Sequence, residues 1–223
     1  MAAKGGWAGK VLRVDLSTGR IWTEDTIEKY SDYLGGTGIG YKVIWDEVPA
    51  GTKPFDPANK IIFAVGPLAG TGAPSSSRTA ITSLWPTCWP KPLVGSGHMG
   101  GHFAAELKYA GYDALVIEGK ADRPVWLCIA DKKVEINDAR GLWGEGIRRA
   151  TYEINRLMGP EASVAAIGQG TNERLMIKEA DLGICVLSPE GSAVETLLSA
   201  DIVVPDIITA LELLLTPTRL KAT

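Results

Sequence analysis

A chain of 223 residues with an apolar share of 45% is long enough to bury the core of one large or two small domains. Its net charge of −3 and pI near 5.5 exclude a general nucleic-acid binder, which would carry a basic face. No apolar run reaches the roughly eighteen residues of a membrane span, and residues 1–7 lack the apolar stretch of a secretory signal, so the expected address is the cytoplasm.

The chain opens on alternating residues 10–16, a Ser17-Thr18-Gly19-Arg20 reversal and a second strand from Ile21 to Glu24, which together predict a β-hairpin. A short helix over residues 26–34 follows, with Thr26 as the expected N-cap. After Gly35-Gly36-Thr37-Gly38-Ile39-Gly40 a helix is expected over residues 41–47, then a proline-bearing loop and the apolar strand 60–65. Residues 79–84 read as another strand, and a Trp/Pro-rich loop leads to Val94 and Gly95-Ser96-Gly97-His98. A helix over 101–110 carries Phe103, Leu107 and Ala110 at helical spacing and stops at Gly111, a natural C′ residue. Strands at 113–119, 124–129 and 134–136 precede an amphipathic helix at 144–158 bearing Ile147, Ala150, Ile154 and Leu157 on one side.

Three cysteines, Cys88, Cys128 and Cys185, stand far apart without a CxxC pair. Neither a zinc site nor a local iron–sulfur ligand set is encoded, and no metal-ligating or catalytic residue is assigned. Trp85, Trp89 and Trp143 fall in loops or at their edges, where they either wall a pocket or serve packing.

Two segments carry the chemistry. Residues 66–78 form a glycine- and hydroxyl-rich loop ending in Arg78, and Met99-Gly100-Gly101-His102 opens a helix. Small residues let a bulky anion approach the backbone, and unpaired amides at a helix start can donate to its phosphates. Arg78 adds a planar fork of donors suited to phosphate or carboxylate. Gly35-Gly36 before Tyr41-Lys42 echoes Gly100-Gly101 before Leu107-Lys108, either as a duplicated unit facing one two-armed ligand or by chance among 26 glycines.

Taken in order, several segments resemble the aldehyde ferredoxin oxidoreductase family of tungsten- or molybdenum-pterin enzymes, in its N-terminal domain over residues 7–166. They are residues 9–19, Leu34-Gly35-Gly36-Thr37-Gly38, Gly66-Pro67-Leu68, Ala73-Pro74-Ser75-Ser76-Ser77-Arg78, Gly100-Gly101, residues 111–121 and Leu142-Trp143-Gly144. The resemblance implies an α+β domain of mostly antiparallel sheets, forming the platform under a bis-pterin that holds tungsten or molybdenum. It implies Arg78 between the pterin and a neighbouring [4Fe–4S] cluster, and Gly100 touching the cofactor through its backbone. His98 stands where the family has an asparagine near the magnesium bridging the pterin phosphates; histidine is a poorer magnesium ligand than an amide oxygen. The expected ligand surface is therefore Arg78, His98, Gly100, Gly101 and the loop carrying Gly35, Gly36 and Gly38, whereas His102 reads as an ordinary helix-start residue.

Past Ala166 a different pattern begins. Residues 168–186 resemble the last motif of haloacid-dehalogenase-like phosphatases, and residues 200–215 extend that likeness, so residues 1–166 and 167–223 are expected as two pieces. The tail is expected as strand, helix, short strand and final helix in a small α/β appendage. Gln169 and Glu173 stand at the motif's acidic positions, and no DxDxT nucleophile strand precedes them, so phosphoaspartyl chemistry has no actor.

The leading functional expectation is the cofactor-binding domain of an oxidoreductase acting on aldehydes or related oxo groups, with iron–sulfur electron transfer. Its partners would be the pterin, further oxidoreductase domains and a ferredoxin-like acceptor, with neither nucleic acid nor membrane involved. The cluster's cysteine ligands are not among these residues, so the chain by itself is expected to be a truncated or fused form without turnover. The alternatives are a phosphate- or metal-binding phosphatase remnant and a non-functional fusion.

Overall fold

The computed structural model describes residues 5–86, 91–166, 184–186 and 202–204. The chain divides into two compact units, Met1–Gly141 and Leu142–Thr223. The first unit is built on a six-stranded sheet. In chain order it comprises β1 (Lys10–Asp15), β2 (Arg20–Asp25), α1 (Thr26–Tyr30), a 3-10 turn (Ser31–Tyr33), α2 (Thr37–Glu47) and β3 (Lys60–Val65). There follow β4 (Thr79–Trp85), β5 (Leu93–Met99), α3 (Phe103–Tyr109), β6 (Ala114–Glu118), β7 (Val125–Ala130) and β8 (Lys133–Asp138).

The sheet runs β2-β1-β6-β3-β4-β5, and all its pairings are antiparallel except β1 with β6. The mostly antiparallel α+β expectation is thus what is found. Alternation along the strands divides the core between two faces. Val11, Ile62, Ala64, Ala114 and Val116 pack under α2 residues Ile39, Val43 and Ile44. Leu12, Val14, Phe63, Val65 and Leu115 pack under α3 residues Ala104 and Leu107, and the β7–β8 hairpin adds Leu127, Ile129, Val134 and Ile136. A two-stranded ribbon is marginal alone, so this apolar contact is what holds it.

Local chemistry explains the element ends. The Asp25 carboxylate, not Thr26, caps α1 by accepting from the Glu28 amide, while Thr26 is fully buried. Helix α3 ends as expected at Gly111, at φ +95°. The Gly111 amide donates to the Lys108 carbonyl and the Tyr112 amide to that of Leu107, a Schellman arrangement whose Leu107 and Tyr112 share the core. Asp113 is fully buried and accepts from the amides of Ala8 and Gly9 and from the Lys108 ammonium, pinning the N-terminal segment to the sheet.

Three elements differ from the sequence expectation. Helix α1, expected over residues 26–34, stops at Tyr30 and gives way to the 3-10 turn Ser31–Tyr33. Helix α2 begins at Thr37, four residues before the expected start at Tyr41, because its glycines fit a close approach to the sheet. Strand β5 spans Leu93–Met99 although Gly95 and Gly97 weaken strand propensity. The Trp85 indole on the paired strand covers Gly95, so that a methyl group there would lie 2.1 Å from the ring. In the second unit, α4 (Gly146–Met158) ends at Gly159, and β9 (Ile184–Val186) pairs in parallel with β10 (Ile202–Val204). Strands β9 and β10 fall within the stretch expected as the tail, whose helices lie outside the described residues, as does the motif around Gln169 and Glu173.

Candidate functional site

The expected ligand residues converge on one end of the sheet. Strand β3 finishes at Val65, β4 starts at Thr79 and β5 finishes at Met99, so three strand ends meet there. The Gly36 amide donates to the Val65 carbonyl at 3.1 Å, and a Cβ on Gly36 would touch that of Ala80 at 4.0 Å. Ala80 pairs directly with His98, and Thr79 pairs with Met99. Continuing that register sets Arg78 opposite Gly100 and Ser77 opposite Gly101, and the Ser77 hydroxyl donates to the Gly101 carbonyl at 2.6 Å. Helices α2 and α3 cover opposite faces of the sheet, yet both start from this end.

The glycines fall into two kinds. A Cβ on Gly35 would lie 2.6 Å from the Val65 carbonyl, and Gly35 also holds φ +77°, so the backbone crossing itself demands glycine. On Gly38 it would meet the Tyr33 carbonyl at 2.1 Å, and on Gly40 the Thr82 hydroxyl at 2.2 Å. These residues seat α2 on its own protein. By contrast, a Cβ on Gly66, Gly97 or Gly100 would have no neighbour within 4 Å, and none of the three has a positive φ. Neither packing nor conformation calls for glycine at these positions. A bare backbone facing open space is a cradle that an external group can approach.

Arg78 is exposed and forms no hydrogen bond or ion pair with the described residues. His98 and His102 are exposed, and His102 makes no cap bond at the start of α3. The hydroxyls of the β3–β4 loop are mostly engaged within the protein. Thr71 donates to the Leu68 carbonyl, Ser76 to that of Ala73 and Ser77 to that of Gly101. Tyr109 of α3 holds the loop through the Gly70 carbonyl at 3.1 Å. Ser75 is exposed at φ +58°, a conformation uncommon for a residue with a side chain. Among the described residues no three His, Cys, Asp or Glu side chains form a set able to hold a metal ion.

A charged cluster that sequence reading missed closes the α2 face near the C-terminus of that helix. Arg13 is 4% exposed and binds both Glu47 oxygens, at 2.8 and 2.5 Å, with Glu24 at 3.5 Å and Glu118 at 3.3 Å. Lys60 joins Glu47 at 3.4 Å and also contacts Glu118. Burial would raise the Glu47 carboxyl, but Arg13 and Lys60 outweigh it and hold it below its ordinary value. Burial first, then Glu24, pushes Tyr30 up to about 12. The signal for this cluster was Arg13 on the Val11 phase of β1, a charged residue inside a strand buried on both faces.

A family model for the aldehyde ferredoxin oxidoreductase N-terminal domain matches residues 11–180. The chain belongs to this family. It is 40% identical over 165 residues to the tungsten-containing aldehyde ferredoxin oxidoreductase of Pyrococcus abyssi, covering 73% of this chain and 27% of the relative. It is 37% identical over 145 residues to the WOR-like subunit of an aliphatic sulfonate oxidoreductase from Pyrococcus furiosus, covering 62% of this chain and 22% of that subunit. Among solved structures it is similar to a chain of the active site complex BamBC of benzoyl coenzyme A reductase in complex with 1,5-dienoyl-CoA. The TM-score is 0.70 with 40% identity, over 78% of this chain and 26% of that one. The chain therefore spans about a quarter of the length of these family relatives. The match crosses Ala166, where the sequence suggested a junction. No helix among the described residues is long and apolar enough to cross a membrane.

Proposed function

We propose that this chain is the platform on which an oxidoreductase of the family seats a tungsten- or molybdenum-bis-pterin. The observation that supports it most is Arg78, which has no hydrogen bond or ion pair among the described residues and falls, by continued register, opposite Gly66 and Gly100, whose Cβ positions face open space. Arg78 would bind an anionic arm of the group, Gly100 and Gly101 would meet it through their backbone, and the Gly35 to Gly38 loop would flank it from α2. Gly38 would act there mainly by letting α2 start against Tyr33. His98 would stand among the residues near a magnesium held with the pterin phosphates, as a poorer ligand than an amide oxygen. When bound, the metal-pterin supplies two-electron oxidation of an aldehyde or related oxo compound, with electrons passing to a [4Fe–4S] centre and a ferredoxin-like acceptor.

The chain's own part is to bind, orient and hold the charge of this group. The cluster's ligands and the acid–base residues are assigned to further oxidoreductase domains, since Cys88, Cys128 and Cys185 form no ligand motif. The proposal is tested by expressing the chain anaerobically with tungstate or molybdate in a host that makes the pterin. Metal per chain and the fluorescence of released, oxidised pterin are then measured. Co-purification of both supports the platform; a chain free of both under conditions that load a full-length relative rejects it.

A further inference from the structure

We propose that Ser77 is a positioning residue that fixes the Gly100–Gly101 link beside Arg78, so that the anion-binding edge is formed before ligand arrives. The inference rests on the platform reading above. The regular ladder between β4 and β5 ends at the pair Thr79 and Met99. Beyond it the chain crosses to α3 through two consecutive glycines, the most conformationally free dipeptide available. A Cβ on either glycine would touch nothing within 4 Å, and Gly101 holds φ +93°. Outside the strand ladders and helices, no backbone hydrogen bond among the described residues engages Gly100 or Gly101. What holds the link is the side chain of Ser77, whose hydroxyl donates to the Gly101 carbonyl at 2.6 Å across a sequence separation of 24.

The bond fixes the peptide plane between Gly101 and His102, because that plane is rigid. Ser77 precedes Arg78 directly, so one stretch of chain delivers both the guanidinium and the tie that sets the glycine backbone opposite it. Ser76 and Thr71 donate within their own loop, to the Ala73 and Leu68 carbonyls, and cannot take this role. Holding a flexible binding segment in its bound form removes an ordering cost from association, which appears as slower ligand loss.

The test compares Ser77→Ala, Ser77→Thr and the unmodified chain by 15N relaxation of the 100–102 amides without cofactor. The rate at which tungsten leaves the loaded chain on dialysis is then measured. Loss of the tie predicts lower backbone order parameters at 101–102 and, for one hydrogen bond, about fivefold faster tungsten loss in Ser77→Ala. Ser77→Thr, which keeps the hydroxyl, is expected to restore both, with order elsewhere in the sheet unchanged. Order at 101–102 that is equal in Ser77→Ala and the unmodified chain overturns the clamp. Lower order with unchanged tungsten loss overturns its role toward the ligand. An unmodified chain that retains no tungsten refutes the platform reading and with it the ligand role, while the relaxation comparison still decides the clamp.

Discussion

Gly40 on α2 lies directly over Thr82 on β4, so close that a methyl group on Gly40 would sit 2.2 Å from the Thr82 hydroxyl and 2.6 Å from its Cβ. This contact sets the height of α2 above the sheet and thereby brings its start at Gly36 against Val65 and Ala80. Alanine normally favours a helix over glycine by about 1 kcal/mol. Here the overpacking outweighs that gain, and Gly40→Ala is expected to destabilise the domain by about 1–3 kcal/mol in urea unfolding.

Thr82 provides the complementary case. Its hydroxyl is buried without a hydrogen-bond partner among the described residues. Thr82→Val replaces that hydroxyl by a methyl group of similar shape, and is expected to leave stability unchanged or raise it by about 1 kcal/mol. A loss of more than that would mean that the hydroxyl has a partner.

Much of this architecture is legible in the sequence. Alternation fixes β1 and β2, and Gly111 stops α3 as its left-handed φ requires. Other features are not. Asp25 and Thr26 are both good capping residues, and only burial decides that Asp25 caps while Thr26 goes inside. Strand β5 is obscured by Gly95, whose missing side chain is compensated by the Trp85 indole of the neighbouring strand. The site shows the same pattern. Arg78 and the glycine pairs are visible as a motif, but the sequence treats Gly38 and Gly100 alike. Three-dimensional packing separates them, since one touches the Tyr33 carbonyl and the other faces open space. The hydroxyl-rich loop is visible in the sequence as well, but not that Thr71, Ser76 and Ser77 donate to backbone carbonyls.

The Arg13 cluster predicts how stability responds to acid. The folded Glu47 carboxyl lies below its ordinary value of 4.5, so an unfolded chain takes up the proton first as pH falls. The stabilisation is complete above about pH 4.5 and is lost as pH drops through the lower, folded value. Glu47→Gln is expected to flatten this acid limb in unfolding curves between neutral pH and pH 3. An unchanged limb would assign acid sensitivity to other carboxylates.

Removing the cation is a harsher change. Arg13→Leu leaves Glu47, Glu24 and Glu118 facing one another with Lys60 as their nearest remaining buried cation. Breaking such a pair from one side is expected to cost about 3 kcal/mol, read as a lower denaturant midpoint. A simultaneous Glu47→Leu is expected to recover part of that loss, because fewer unpaired charges remain buried.

At the proposed ligand site, Arg78→Ala is expected to weaken retention of the anionic pterin by about tenfold or more, the scale of a charge-assisted hydrogen bond. Arg140 serves as the control, since it is exposed and paired with Asp138 at 2.6 Å. Arg140→Ala is expected to leave retention unchanged. Equal effects of the two substitutions would reject Arg78 as a ligand contact.

The proposed cofactor seat is the end of the sheet where β3, β4 and β5 meet the starts of α2 and α3. Hydrogen exchange of the metal-pterin-loaded chain against the unloaded one locates it. Added protection is expected at residues 35–38, 66, 77–78 and 97–101, with the β7–β8 hairpin unchanged. Protection centred on that hairpin, or loading with no protection at the sheet end, would contradict it.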